Sequence, residues 1–194
     1  MSIFSELIDE PSQEFHNTTE LPAIVQVAQV LPPSSVLFTA IYLQTIHDDL
    51  LQRASNHIAQ GLYPLINPIT EPLTKIYSFL KYVEETAQLD LTELMYIVYF
   101  VDRMIYEDFA AHQSGRDRII NGQNIGMLLV CAAMLATKMN RDKPMLNSWW
   151  AHAIQLPLSM INSFEIVFLD RLGFRMLLNA DDYQILINAL QATS

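Results

Sequence analysis

Nine consecutive apolar residues, Leu128 to Ala136 (LLVCAAMLA), constrain this chain more than any other feature in it. A helix that is apolar all round has no face to offer water, so other helices must wrap most of its length. Its alanines at 132, 133 and 136 allow those neighbours to come close. The run ends on Thr137, Lys138 and Met139, and an ammonium group there has to face outward. One helix therefore joins the interior to the surface.

Two uncharged stretches invite a membrane reading, and neither survives it. Ile119 to Thr137 opens with Asn121, Gly122, Gln123 and Asn124, and the apolar remainder is too short to cross a bilayer. Leu21 to His47 is interrupted by Pro32-Pro33, Ser34-Ser35 and several glutamines. No basic segment followed by an apolar run marks a secretory leader, so the sequon Asn17-Thr18-Thr19 is expected to be idle. The single Cys131 permits no intramolecular disulfide and fits a reducing compartment, cytoplasm and/or nucleus. Apolar residues make up 51% against 16% charged, which implies a large core plus apolar surface awaiting a partner. A net charge of −10 and a pI near 4.7 argue against a nucleic-acid ligand.

Helical spacing recurs along the chain. Residues 1–30 read as a flexible acidic tail, 34–60 as an N-terminal helix, and 72–190 as the main domain. The first helix starts at Pro33-Ser34, with Leu37, Ile41, Tyr42, Thr45, Leu50 and Leu51 as its repeat, and Gly61, Pro64, Pro68 and Pro72 form a connecting loop. Ile76, Phe79, Leu80 and Val83 share a face of the next helix. Asp90 with Glu93 has capping-box spacing before the stripe Leu94, Ile97, Val98, Val101 and Ile105. Charges and Gly115 predict a loop over 108–118, followed by the apolar helix from about Asn121 to Met139. A short helix holds Trp149 and Trp150. Ser159 is a candidate cap for the helix bearing Met160, Ile161, Phe164, Val167, Phe168 and Leu172, which Gly173 ends in a left-handed conformation. A last amphipathic segment covers Asn179–Leu190. No period-two alternation occurs, so the fold class is all-α, with about seven helices around the buried 128–136 segment.

Catalytic and metal chemistry find little footing. The histidines at 16, 47, 57, 112 and 152 show no ligand spacing, and there is no phosphate-cradling glycine loop or nucleophile elbow. No cofactor is expected. Glu84-Glu85 and Asp181-Asp182 read as solvated charge. Lys138 and Glu165 remain, each set among apolar neighbours where a hydrogen bond to a partner's backbone gains strength. Leu135 and Leu169 lie about one turn from them. The expectation is a solvent-open apolar groove with Lys138 as donor and Glu165 as acceptor, suited to a partner helix.

The order Tyr99-Phe100-Val101-Asp102-Arg103-Met104, then Leu135-Ala136-Thr137-Lys138-Met139, then Phe164-Glu165-Ile166-Val167-Phe168-Leu169-Asp170-Arg171-Leu172-Gly173-Phe174, resembles the cyclin box. Lys138, Asp142, Asn147, Trp150 and Ala151 fall at the spacings of the P/U-type cyclins, the branch of the phosphate-signalling cyclin. The resemblance runs from about Val36 to Leu190. It implies one cyclin box of five helices around a buried central helix, with an extra N-terminal helix and a short C-terminal helix. It also implies the activating subunit of a cyclin-dependent protein kinase, a non-catalytic partner in a heterodimer. Lys138 and Glu165 would bond the kinase backbone near its C helix. Leu135, Met139, Leu169 and Met176 would form the pocket for an apolar side chain of that helix, with Asp142 among the contacts. The alternative within the fold is an adaptor or scaffold in transcription without kinase activation.

Two departures stand out. Arg141 replaces the first residue of the family's acidic pair, leaving Asp142 alone. The family pairs the carboxylate at Asp102 with an arginine on the first box helix; none stands there, and Lys75, Lys81 or a partner elsewhere are the options. Asp102, Arg103 and Trp150 are read as structural, the first two in a fold-internal ion pair and Trp150 beside Trp149 as core anchor.

Overall fold

The computed structural model describes residues 33–65 and 72–192, with side chains at 44–65 and 75–192. The expected tail at 1–30, Pro68, and the side chains of Leu37, Ile41 and Tyr42 lie outside the described residues. The chain divides into two compact units, Met1–Tyr42 and Leu43–Ser194; the packing below belongs to the second.

The elements are α1 (Pro33–Leu62) with a 3-10 turn (Tyr63–Leu65), α2 (Pro72–Ala87), α3 (Leu91–Gln113), α4 (Ile125–Asn140), α5 (Asn147–Ala153), α6 (Leu158–Arg171) and α7 (Ala180–Ala192). Among the described residues there is no strand. Local chemistry explains several boundaries. Asp90 Oδ1 accepts the Glu93 N–H at 2.7 Å and Glu93 Oε2 accepts the Asp90 N–H at 3.0 Å, the capping box read from the sequence. Gly173 takes φ +58° just past α6, where an L side chain is strained. Asn179 accepts the Asp182 N–H at 2.8 Å and opens α7.

α4 is the centre. Every residue from Leu128 to Thr137 is buried, and α3 covers it most extensively, with α6 also packed against it. From α3, Phe100 meets Phe168 of α6 edge to face, centroids 6.4 Å apart. Truncating so enclosed an aromatic costs about 3–5 kcal/mol. α1 contributes Leu51, Ala54, Ile58 and Leu62, spaced three and four apart. Near its end Gly61 admits α3: a Cβ there would lie 3.0 Å from Ile105 Cδ1. Trp150 is buried, and Trp149 stands perpendicular to it at 5.1 Å and half-buried.

Four expectations change. The stretch 108–118 is not wholly loop: α3 continues to Gln113, and Asp108 is fully buried. Its Oδ1 accepts the Ile119 N–H at 2.8 Å, with Arg171 Nη1 3.8 Å away, so tertiary partners make a buried carboxylate tolerable. α4 begins at Ile125, because Asn121 and Asn124 tie 121–124 into a turn through side-chain bonds to backbone N–H groups. Ser159 does not cap α6; Pro157 precedes the first turn and Ser159 lies inside it. Glu84 is not a freely solvated charge, since Lys81 donates to it at 2.8 Å and His47 Nδ1 lies 3.2 Å away at the α1–α2 seam.

Candidate functional site

Lys138 lies in the last turn of α4, Glu165 along α6, and Asn147 at the start of α5. Three separate helices thus bring their side chains to one point. Lys138 Nζ donates to Glu165 Oε1 at 2.5 Å and to Asn147 Oδ1 at 2.6 Å. Asn147 Nδ2 donates to Glu165 Oε2 at 2.7 Å and to Asn162 Oδ1 at 2.8 Å. The result is a closed ring of ammonium, carboxylate and amide. Lys138 and Glu165 keep 28% and 16% of their side-chain surface in contact with solvent.

The two charges meet directly instead of flanking the solvent-open apolar groove expected from the sequence. They touch, because the end of α4 and the middle of α6 come close enough for the chain to pair them itself. Chemically the ring still has bonds to give. Lys138 uses two of its three N–H donors here, and each Glu165 oxygen accepts one bond, so an acceptor and a donor on a partner can both be served.

The remaining candidates divide. Met139 is exposed beside the ring, and Leu169 and Met176 are half-buried. Leu135 belongs to the core at 4% exposure and offers little surface. Asp142 is exposed and makes no hydrogen bond or ion pair with the described residues. Leu146 and Ile166 add exposed apolar surface on α6 and before α5. Asn147 has a place in the sequence spacing but no role readable from it; an amide in register with the lysine is the available signal.

Arg141 departs from the exposed set altogether. Its Nε donates to Glu93 Oε1, and its Nη2 donates to Glu93 Oε2 at 2.6 Å and to the Gln88 carbonyl at 3.0 Å. The Glu93 carboxylate raises the guanidinium's pKa further above its already high ordinary value, against its partial desolvation. Glu93 thus serves both the α3 cap and a clamp onto the end of α4, and sequence offered no sign of the second role.

Asp102 takes neither Lys75 nor Lys81. It accepts from His57 Nε2 of α1 at 2.8 Å, and that hydrogen bond holds the imidazole above its ordinary pKa despite the desolvation of a half-buried ring. Arg103 turns the other way, to Glu107 at 3.1 Å and the Tyr99 hydroxyl at 3.3 Å, so the two form no pair with each other. Lys81 is engaged by Glu84 at 2.8 Å and Asp48 at 3.2 Å, and both bonds raise its pKa. His47, Asp48 and Glu84 bring ligand atoms within 4.8 Å of one another, yet the Lys81 ammonium already occupies both carboxylates. Cys131 is buried within electrostatic reach of Glu165 and Lys138, and burial pushes its thiol pKa up to about 12.

A model of the cyclin family matches residues 37–176, and the chain belongs to that family. No curated protein and no solved structure matches it. The all-α fold around α4 is the one that family membership requires. Cyclins are regulatory rather than catalytic proteins, and they act through a protein partner. No helix among the described residues is long and apolar enough to cross a membrane.

Proposed function

We propose that the chain is the activating subunit of a cyclin-dependent protein kinase, of the P/U type, working as a heterodimer in cytoplasm or nucleus. The observation that carries this reading is the Lys138–Asn147–Glu165 ring: one donor and one acceptor held side by side on the surface, bordered by Met139 and half-buried Leu169. A kinase C-helix region offers backbone C=O and N–H groups beside an apolar side chain, which is the complementary set. Holding that helix inward places its glutamate against the ATP-binding lysine and completes the phosphoryl-transfer site. The cyclin itself contributes no reacting group.

The test is to recover the chain from its own cells, identify bound kinases, and assay their activity with and without it. Lys138→Glu and Glu165→Arg are expected to abolish recovery and stimulation while the protein stays folded. Undiminished binding in both variants would overturn the proposal. Recovery of transcription factors with no kinase would favour the adaptor reading.

A further inference from the structure

We infer that Asn147 is a positioning residue for kinase docking, one that holds Lys138 and Glu165 as a preformed donor–acceptor unit which the kinase binds without opening. The inference rests on the proposed kinase reading and adds to it how the site is kept ready.

The chemistry singles out an asparagine. The groups around Asn147 are one ammonium, which needs an acceptor, and two oxygens, Glu165 Oε2 and Asn162 Oδ1, which need donors. A carboxamide offers one acceptor and two N–H donors in a plane, and all three are used. An aspartate of the same shape would satisfy the ammonium and present a second carboxylate to Glu165. A serine has only one proton to share between two oxygens.

The consequence concerns order. Lysine and glutamate carry long side chains whose freedom is lost when a partner fixes them, and that loss weakens binding. In the ring the loss has already occurred, because each side chain is held by bonds from two other helices. One ammonium proton and the outer lone pairs of Glu165 remain for a backbone carbonyl and a backbone N–H. A partner therefore adds to the ion pair instead of competing with it.

Asn147→Asp separates positioning from folding. It keeps the side chain's shape, and an acidic residue in the first turn of a helix is favoured by the dipole. Thermal stability is expected to fall only slightly, the dipole offsetting part of the repulsion between the two partly wet carboxylates. Affinity for the cyclin-dependent kinase recovered with the wild-type chain is expected to fall at least about tenfold, with Asn147→Ala similar. In the free protein, hydrogen exchange at the Lys138 ammonium, read by nitrogen-15 NMR, should be slower than at exposed Lys143, and the difference should narrow in the Asn147→Ala chain, which lacks one of the two acceptors. Equal kinase affinity in wild-type and N147D chains would overturn the inference while leaving the kinase reading intact. So would Lys138 exchange as fast as that of Lys143. Failure of the wild-type chain to recover any kinase would overturn both.

Discussion

Two ion pairs flank the end of α4, and they do opposite things. Arg141 and Glu93 form a bidentate clamp in which the carboxylate is 1% exposed and every partner belongs to the chain. Lys138 and Glu165, three residues earlier and across on α6, are joined as closely but stay partly wet and keep bonding capacity. The first pair consumes its charge in holding α3 to α4. The second displays it. Proximity of opposite charges says little about purpose; what separates the pairs is whether any hydrogen-bonding capacity still faces solvent.

Replacing Arg141 with Ala should break the clamp most severely. It leaves Glu93 buried and uncompensated, and the expected loss is about 3–5 kcal/mol in urea unfolding. Lys138→Ala removes the partly exposed partner and is expected to cost under about 1 kcal/mol, while kinase recovery is lost. A larger loss of stability than in the Arg141 variant would reverse the contrast. The charge swap K138E/E165K sharpens it further: stability should return to near wild type because the pair is rebuilt, yet kinase binding should stay absent because donor and acceptor are exchanged.

The His57–Asp102 pair at the α1–α3 seam supplies a weaker, pH-dependent case. Its folded-state pKa is raised, so its stabilisation is complete below the ordinary imidazole value of 6.5 and fades as pH rises through the higher folded value. Stability is expected to fall across that window, and His57→Ala should flatten the slope. The smallest effect is at Cys131. With its thiol pushed up to about 12, alkylation at pH 8 should be slow in the wild-type and Lys138→Ala chains and faster in the Arg141→Ala chain, whose core opens more often.

Much of the architecture was legible because helices are written locally. The run 128–136 had to be enclosed, Asp90 with Glu93 had to start a helix, and Gly173 could end one. Each statement needs only residues within a turn or two. The site was half legible. Lys138 and Glu165 stood out as charges in apolar surroundings, but their direct contact did not. Asp102 and Arg103 were legible as residues of a fold-internal ion pair, but not that their partners are His57 and Glu107. Asp108 was placed in a wet loop and is sealed in the core.

By itself the sequence determined an all-α chain built on a central apolar helix and the order of residues that marks a cyclin. The tertiary structure alone decided which charges meet: Glu93 with Arg141, 48 residues apart, His57 with Asp102, 45 apart, and Lys138 with Glu165, 27 apart. The physical reason is range. Periodicity and capping act within a few residues of the chain, whereas an ion pair forms only where packed helices bring two side chains within about 4 Å and remove most of the water around them.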